Sequence, residues 1–309
     1  MPKLSVIIPV YQNAGSLPAL FARLGALASR LKTDLGTDLE LIFVDDGSTD
    51  ESFTILAEHR IANPGTKLIK LARNFGAVNA SKTGMRFVSG DCFLCLAADL
   101  QDPPELIPDL VRRWLDGAKF IICQRRERSD PWLSRILAGF YYWLIRRFVL
   151  PDYPRRGYDL ALLDEAMREH LVNSAKNVNT PLLAFWLGFR PEIVEYDRAP
   201  RLHGRSQWSF GKRIKFMLDS ILGFSILPIR IMSTVGLAVS ALSFAYGASV
   251  LVASLVGWNL VAGFPTLAVV TTFLLGLVIT MLGIIGEYLW RVFDATNGRP
   301  EAVIEEALL

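Results

Sequence analysis

Two hydrophobic patterns divide the chain. From the N-terminus to about residue 125, short apolar stretches alternate with segments whose apolar residues recur at helical spacing. The apolar stretches predict strands at 4–10, 39–44, 67–71, 92–97 and 120–123. The segments between them predict helices near 16–31, 50–62, 76–88 and 104–116. Strands that alternate with helices in this way predict a mostly parallel sheet with helices on both faces.

The second pattern is a long uncharged segment near the C-terminus. No Asp, Glu, Lys or Arg occurs between Ile231 and Gly286, and this segment has room for two membrane-spanning helices of about 20 residues each. Turn-forming and aromatic residues at 257–265 predict the connection, so the spans fall near 231–256 and 266–287. A buried hairpin of a soluble protein is the alternative, but its helices would show a polar stripe, which these lack.

Basic residues on both sides of this segment predict its orientation. Several Lys and Arg residues lie between 198 and 230, and Arg291 and Arg299 follow the second span, whereas the connection has no Lys or Arg. The positive-inside rule then places both termini in the cytoplasm, with the protein in the inner (cytoplasmic) membrane. Because Met1-Pro2-Lys3 runs directly into the first predicted strand, no signal peptide is expected.

Two further segments have the character of helices that lie in a membrane interface. Residues 131–150 contain an uncharged run, 136–145, with four aromatic residues and flanking arginines; the run is too short to span a bilayer. A core helix or an oligomer-packing helix is the alternative. Residues 209–227 place apolar side chains on one helical face and charged side chains on another.

Composition limits the class of protein. With 51% hydrophobic residues and a mean hydropathy of +0.32, the chain is not disordered, and three Cys in 309 residues exclude a disulfide-built module. With a net charge of only +3, the chain is not a polycation of the kind that binds nucleic acid. Cys92 and Cys95 form a C-x-x-C inside a predicted strand, which favours buried small residues over a zinc or redox site.

The candidate chemistry follows the predicted strands, because ligands of parallel sheets bind beyond the carboxyl ends of the strands. The segments concerned are Pro9-Val10-Tyr11-Gln12-Asn13, Asp45-Asp46-Gly47-Ser48-Thr49-Asp50, Arg73-Asn74-Phe75-Gly76, Asp99-Leu100-Gln101-Asp102-Pro103-Pro104-Glu105 and Arg125-Arg126-Glu127-Arg128. Carboxylates suit a hard cation and guanidinium groups suit phosphates, so this edge fits a nucleotide diphosphate with Mg²⁺ or Mn²⁺. The absence of G-x-G-x-x-G and G-x-x-x-x-G-K-[ST] disfavours dinucleotide-binding dehydrogenases and P-loop NTPases.

Some of these residues also have a purely structural interpretation. Asp102 precedes Pro103-Pro104-Glu105 and is well placed as the N-cap of a helix with proline at its first position. The arginines after the fifth strand would, by themselves, also suit a solvated basic face. Asp99 has no such explanation, because nothing local requires a carboxylate at the end of a strand.

Three motifs resemble family-2 glycosyltransferases of the GT-A fold. They are Ser5-Val6-Ile7-Ile8-Pro9-Val10-Tyr11, Val44-Asp45-Asp46-Gly47-Ser48-Thr49-Asp50 and Ala98-Asp99-Leu100-Gln101-Asp102-Pro103-Pro104-Glu105. Arg73-Asn74-Phe75-Gly76 and the two spans are similar to a narrower group, the polyprenyl-phosphate glycosyltransferases related to dolichyl-phosphate mannose synthase. The resemblance covers nearly the whole chain.

The resemblance implies an α/β GT-A catalytic domain, with a Rossmann-like, mostly parallel sheet, joined to amphipathic interface helices and two transmembrane helices. The catalytic domain would be cytoplasmic and occupy 1–227, including the interface helices near 131–150 and 209–227. A transmembrane hairpin would occupy 228–290, and a cytoplasmic tail 291–309. At its end, residues 301–309 are expected to form a short helix or to be frayed.

The resemblance also implies a donor site. The nucleoside would be held by residues that follow the first two strands, namely Pro9, Tyr11, Asp45 and Asp46. Asp99 and Gln101 would bind the divalent metal. The family's Asp-Ala-Asp is replaced by Ala97-Ala98-Asp99 in this chain. The missing first carboxylate predicts a weaker affinity for the metal.

Phosphate groups and the acceptor would be met by residues farther along the chain. Arg125 and Arg128 are similar to the family's G-x-R-x-x-R, with Cys123 in place of the glycine, and would serve phosphates. The segment 157–162 would supply an acceptor-side carboxylate, Asp159. Together with Asp99, these residues form the predicted catalytic group.

The segment 198–206 is similar to the family's R-x-x-R-x-x-G-x-S. Arg201 and Ser206 would meet phosphates of the donor or of the lipid acceptor. Gln207 stands where many relatives have Lys, so one phosphate contact is expected to be missing. Juxtamembrane positive charge alone is the alternative explanation of this loop.

Together these features predict metal-dependent transfer of a sugar from a nucleotide diphosphate sugar to polyprenyl phosphate in cell envelope glycan biosynthesis. The resemblance implies that the transfer is inverting and that the donor is a UDP-sugar. The partners would be the donor, the lipid acceptor and the bilayer. The spans and the aromatic helix also offer surface for a homo-oligomer, and no nucleic acid is expected.

Two alternatives remain at this point. A glycosyltransferase acting on a hydroxyl acceptor is one, although the chain lacks the additional spans and the Q-x-x-R-W motif of processive synthases. A non-catalytic, membrane-anchored binding partner is the other, and Ala97 is the feature in its favour.

Overall fold

The computed structural model describes residues 1–126, 132–175, 178–198, 210–225, 227–256 and 264–309. These residues form two compact units. The first consists of Met1–Ser220 together with Pro300–Leu309, and the second of Ile221–Arg299.

An eight-stranded sheet lies at the centre of the first unit. Its strands are β1 (Lys3–Val10), β2 (Asp38–Asp45), β3 (Lys67–Leu71), β4 (Cys92–Cys95), β5 (Phe120–Arg125), β6 (Leu160–Asp164), β7 (Glu192–Tyr196) and β8 (Ile304–Leu308). Their spatial order is β7-β5-β6-β4-β1-β2-β3-β8. Within this described sheet, only β6 and β8 run antiparallel to their neighbours. The prediction of a mostly parallel sheet is confirmed, and all five predicted strands are present.

Helices cover both faces of the sheet. The helices of the first unit are α1 (Leu17–Leu35), α2 (Ser52–Ala62), α3 (Ala77–Met85), α4 (Ile107–Leu115), α5 (Trp132–Phe148), α6 (Arg168–Val172) and α7 (Thr180–Trp186), and they are followed by α8 (Phe210–Phe224), which continues into the second unit. Alternate residues of β1 face opposite layers: Leu4, Val6 and Ile8 pack with α1, α2 and α4, and Ile7 packs with α3, α6 and α7. The sheet is therefore buried on both sides, as a parallel sheet requires.

Helix α1 shows why the sequence pattern forms these layers. Its buried leucines, at positions 17, 20, 24, 27 and 31, recur every three or four residues and so line one side of the helix. Burial of each such side chain contributes about 1.5–3 kcal/mol. Helix α1 ends at Gly36, whose φ of 59° is left-handed.

Residues 301–309 contain strand β8, so the expectation of a short helix or frayed end there is wrong. β8 pairs antiparallel with β3, in a register that places Leu308 beside Leu68 and Glu306 beside Lys70. Buried Lys82 of α3 forms an ion pair of 2.8 Å with Glu301. Pairing with an open sheet edge satisfies backbone groups that a free tail would leave to water.

The second unit consists of two long helices, α9 (Leu227–Leu255) and α10 (Phe264–Thr296), preceded by the last turn of α8. Each contains a segment long and apolar enough to cross a membrane, Leu227–Tyr246 in α9 and Phe273–Thr296 in α10. Their large apolar side chains are exposed; Leu237 and Phe244, for example, are 74% and 77% exposed. An aqueous environment would penalise such surface, so these helices require an apolar covering.

Candidate active site

One edge of the sheet collects the predicted site residues. Tyr11 follows β1, and Asp45 ends β2. Asp99 follows β4, and Arg125 ends β5. Because β6 is antiparallel to β4 and β5, its first residue lies at this same edge, and Asp159 immediately precedes it. The topology therefore brings residues from five parts of the chain to the carboxyl ends of the parallel strands.

The carboxylates of Asp45 and Asp46 are buried inside this edge. Both oxygens of Asp46 accept backbone N–H groups, from Phe75 at 2.7 Å and Gly76 at 2.9 Å. Asp45 accepts the backbone N–H of Ser48, and its other oxygen has no hydrogen-bond partner among the residues that the structure describes. Burial raises the pKa of both carboxyl groups. The pair joins the end of β2 to the segment after β3, and its direct role toward a nucleoside stays a prediction.

Gly47 is required at this junction. It has a left-handed φ of 68°, and a Cβ atom there would lie 2.5 Å from the backbone carbonyl carbon of Arg73. Only glycine permits both the conformation and the close approach. The segments after β2 and β3 can therefore pack backbone to backbone. Pro9, another predicted nucleoside residue, lies beside Val44 at the end of β2, and Tyr11 follows β1 at the same edge.

Asp99 and Gln101 lie on a tight turn after β4. The Asp99 carboxylate accepts the backbone N–H of Gln101 at 3.2 Å, and Leu100 between them has a left-handed φ of 60° with its side chain buried. Within the described chain, Gln12 after β1 is the only other non-glycine residue with positive φ. Both strained residues lie at the same sheet edge, which is where backbone strain is commonly maintained for function.

The donor set at this turn suits a hard divalent cation. Asp99 offers a carboxylate and Gln101 an amide oxygen, and Mg²⁺ is often held by one or two carboxylates with substrate phosphates completing its shell. In the described part of the chain, no group of three or more His, Cys, Asp or Glu residues is arranged to hold a metal.

Arg125 and Asp159, predicted to serve phosphate and acceptor separately, are bound to each other. The guanidinium donates two parallel hydrogen bonds to the carboxylate, at 2.6 and 2.7 Å. Burial acts to lower the pKa of Arg125, but the bonds to Asp159 outweigh it and raise the pKa, so the guanidinium stays charged. A phosphate that binds Arg125 must share or replace this carboxylate.

A second group lies beside this pair, and it corrects one expectation. Asp102 is not a helix N-cap, because the short helical turn begins at Pro104 with Pro103 in the capping position and no side-chain cap. Instead, buried Asp102 accepts the Tyr196 hydroxyl at 2.6 Å and forms an ion pair of 3.1 Å with Arg198. Burial raises the pKa of Asp102, although Arg198 opposes this effect.

Sequence reasoning did not identify Tyr196 as a site residue, and it included Arg198 only as the first residue of the motif at 198–206, without a role. Tyr196 ends β7, a strand that was not predicted, and its backbone register partner is Arg125. The available evidence was the adjacent β-branched residues Ile193 and Val194 followed by Glu195-Tyr196, a composition typical of a short strand. Three predicted residues, Arg128, Arg201 and Ser206, lie outside the described residues.

Helix α5 packs against the loop that carries Asp159. Gly157 has a left-handed φ of 67°, and a Cβ atom there would lie 2.2 Å from the Tyr142 hydroxyl. Tyr142 also stacks on Tyr153. The opposite side of α5 exposes Phe140 and Trp143, whose rings stack at 6.0 Å. One helix therefore connects an exposed aromatic surface to the loop of a site residue.

The cysteines take no part in the site. Cys92 and Cys123 are buried and Cys95 is half-buried, and all three are free thiols. Cys92 and Cys95 contribute to opposite layers of the core. Burial raises the pKa of the Cys95 thiol to about 12, so it stays protonated. The interpretation of the C-x-x-C as buried small residues is confirmed.

Comparison with known proteins adds three findings. Residues 5–166 match the family described as glycosyl transferase family 2. The chain is 34% identical to an uncharacterized glycosyltransferase of Synechocystis, over 98% of this chain and 95% of that protein. It is 31% identical to the SfII prophage-derived bactoprenol glucosyl transferase of Shigella flexneri, over 99% of this chain and 98% of that protein.

Among solved structures, a mannosyltransferase of Pyrobaculum calidifontis in complex with GDP-Man and Mn²⁺ is similar, with a TM-score of 0.47 and 16% identity. The similarity covers 91% of this chain and 87% of that one.

Proposed function

This chain belongs to glycosyl transferase family 2 and is a glycosyltransferase with the GT-A fold, and from that premise we propose that it transfers a sugar from a nucleotide diphosphate sugar to polyprenyl phosphate. Relatives named bactoprenol glucosyl transferases align over 98% or more of the chain. The observation that carries the proposal is the single sheet edge at which Asp99, Arg125 and Asp159 meet, in a chain with two helices of bilayer length.

The donor would bind at the β1, β2 and β4 side of this edge. Asp99 and Gln101 would hold Mg²⁺ or Mn²⁺ against the diphosphate, and the metal would stabilise the charge that develops on the leaving group. Pro9, Tyr11 and the segment around Asp45 would hold the nucleoside, for which we propose uridine. Outside the described residues, Arg128, Arg201 and Ser206 would add phosphate contacts.

The acceptor would bind at the β5 and β6 side. A phosphate oxygen of the lipid attacks the anomeric carbon as the bond from that carbon to the diphosphate breaks, and the configuration inverts in this single displacement. The nucleophile already has a charge of about −1.5 to −2, so it needs no strong base. We assign Asp159 to orienting the acceptor and its cationic neighbours, and Arg125 to neutralising phosphate charge.

The membrane would hold the lipid acceptor next to this site. We propose that α9 and α10 span the inner membrane and that α5 and α8 lie in its cytoplasmic interface. Phe140 and Trp143 are 53% and 48% exposed, and Arg146 and Arg147 follow them on α5, a combination typical of interfacial helices. Transfer would then take place at the cytoplasmic face, for cell envelope glycan biosynthesis.

A donor screen tests the proposal. Purified protein is incubated with polyprenyl phosphate, Mg²⁺ or Mn²⁺, and UDP-, GDP- and TDP-sugars, and products are identified by mass spectrometry. We expect one sugar joined to lipid monophosphate, with loss of product in EDTA and in Asp99→Ala. Transfer to a hydroxyl acceptor with no lipid product from any donor would overturn the proposal.

A further inference from the structure

Two carboxylates at the site edge share the same two partners. The Tyr196 hydroxyl lies 2.6 Å from Asp102 and 3.5 Å from Asp159. Arg198 lies 3.1 Å from Asp102, through Nε, and 3.9 Å from Asp159, through Nη1. In both comparisons Asp102 is the nearer carboxylate. Asp159, by contrast, is nearest to Arg125, at 2.6 Å.

Asp102 and Asp159 compete for Tyr196 and Arg198, because each of these two partners interacts with the nearer carboxylate at the expense of the other. Tyr196 is buried, and burial together with the neighbouring carboxylates raises its pKa, so the hydroxyl stays protonated with one hydrogen to donate. That hydrogen goes to Asp102. Arg198 has several donors, but its attraction to each carboxylate rises as the distance falls. A partner held by Asp102 is thereby withheld from Asp159.

We propose that Asp102 is a positioning residue, which holds Tyr196 and Arg198 away from Asp159 so that Asp159 keeps Arg125 as its close partner and stays accessible to the acceptor. The role of Asp159 toward the acceptor rests on the proposed function. The competition between the two carboxylates rests only on the geometry.

Removal of the Asp102 charge predicts a definite change. In Asp102→Asn the side chain keeps its size but loses its attraction for Arg198, which is then drawn to the carboxylate 3.9 Å away. The Asp159 carboxylate would then interact closely with Arg198 and Tyr196 as well as with Arg125. Its contribution to stability would rise, and its freedom to orient an acceptor would fall.

A double-mutant cycle measures the competition without any assay of transfer. The set comprises the wild-type protein, Asp102→Asn, Asp159→Asn and the double variant, purified in detergent. The buried native cysteines report unfolding when they react with a fluorescent maleimide during heating. We expect Asp159→Asn to lower the unfolding midpoint by about 3 °C more in the Asp102→Asn background than in the wild type, roughly the effect of one added interaction.

The same proteins give a kinetic test of positioning. Asp102→Asn should lower kcat about tenfold, with the donor KM changed less than twofold. It should have little further effect when Asp159 is already Asn. A residue with only a structural role would instead lower the midpoint and leave kcat unchanged in the fraction that remains folded.

Asp197→Asn is the matched control. Asp197 is next to Arg198 in sequence, but it is exposed and forms its ion pair with Arg126, at 3.4 Å. The effects of Asp197→Asn and Asp159→Asn on the unfolding midpoint should therefore be additive. If Asp102→Asn does not fold, Tyr196→Phe is used in its place. The effects of Tyr196→Phe and Asp159→Asn on the unfolding midpoint should be additive, because the Tyr196 hydroxyl donates its hydrogen bond to Asp102 and not to Asp159.

Additive midpoints for Asp102→Asn and Asp159→Asn would overturn the inference. Non-additive effects of Tyr196→Phe and Asp159→Asn on the midpoint would also overturn it, because they would show that the Tyr196 hydroxyl is hydrogen-bonded to Asp159. An unchanged kcat in an active Asp102→Asn protein would overturn the positioning role. A wild-type protein without transfer would overturn the proposed function instead, and the midpoints would still decide the competition.

Discussion

Asp99 and Asp159 differ in what surrounds them. Asp99 lies on the tight turn after β4 with Gln101, where a metal and the diphosphate would bind, whereas Asp159 is joined to Arg125. Stabilising the leaving group accounts for the largest charge change in the proposed reaction. At saturating metal, Asp99→Ala should therefore lose more activity than Asp159→Asn, as measured by initial rates of glycolipid formation. The reverse order would assign Asp159 the larger role.

Ala97 leads to a prediction about metal affinity. It occupies the position of the family's first carboxylate, two residues before Asp99, and it is partly exposed at the site edge. Ala97→Asp should lower the metal concentration for half-maximal activity about tenfold, since an added carboxylate contributes about 1.4 kcal/mol to binding. Ala97→Asn is the control of similar size without the charge. Equal effects of the two variants would contradict the argument.

The proximity of site residues was predictable where one short motif contains them. Asp99 and Gln101 share a turn, as the motif indicates, and their role toward a metal stays a prediction. Asp102, by contrast, was interpreted as a helix cap because its partners, Tyr196 and Arg198, are almost a hundred residues away. Local sequence contains no information about a contact made across two strands.

At the sheet edge opposite the site, Glu40 of β2 contacts residues of β1 and β3 and Ser89, which precedes β4. This buried carboxylate accepts the Ser5 hydroxyl from β1 and the Ser89 hydroxyl at 2.6 Å, and it forms ion pairs with Lys3 and Lys67. Burial would raise its pKa, but the hydrogen bonds from Ser5, Ser89 and Lys67 outweigh burial and lower the pKa to about 2, from 4.5.

The Glu40 network predicts a pH dependence of stability. Because the folded pKa is the lower one, the contribution is complete above pH 4.5 and is lost as the pH falls toward 2. Its size is on the order of 3 kcal/mol. Glu40→Gln should lower the unfolding midpoint at pH 7 and show a flatter pH dependence between 4.5 and 2 than the wild type. Parallel pH curves for the two proteins would contradict this assignment.

The contact between α5 and the Asp159 loop depends on Gly157. Gly157→Ala should destabilise the protein by about 1–3 kcal/mol, since the new methyl group meets the Tyr142 hydroxyl and φ is positive. Gly36→Ala is the control, with a similar φ of 59° and its nearest atom at 3.9 Å. Thermal unfolding and transfer rates of both variants check the prediction. If Gly157→Ala loses no more stability than Gly36→Ala, the contact with the Tyr142 hydroxyl is not the cause of the destabilisation.

Elements were predictable where the apolar pattern of the sequence is strong, as in the five buried parallel strands and the long helices. Three short strands were not predicted: β6, which is mostly buried, and β7 and β8, which expose most of their side chains, including Ile193 and Ile304. The strand conformation of β7 and β8 depends on pairing with β5 and β3, which a local pattern does not reveal.

For the whole molecule, β8 restricts the membrane topology that we propose. Met1–Ser220 and Pro300–Leu309 fold into one unit, so the proposed spans α9 and α10 would have to return the chain to its original side. Two crossings would satisfy this condition, and the positive-inside rule predicts a cytoplasmic location for the folded unit.

Single cysteines test that topology. Ile61→Cys, on an exposed position of α2, should react with an impermeant maleimide only from the cytoplasmic side of sealed vesicles. Asn259→Cys, in the predicted connection, should react only from the opposite side. The native thiols are buried or half-buried and should give a low background. Labelling of both positions from one side would contradict two spans.

The pairing of β3 with β8 also has a consequence for biosynthesis. A ribosome makes β3 early and β8 only after the 232 residues from Ala72 to Val303, which takes on the order of 12–46 s at common rates of translation. During that interval the edge of β3 is open and can pair with another nascent chain. The sheet is therefore completed only after α9 and α10 have been synthesised, which makes the order of translation part of how the catalytic unit is assembled.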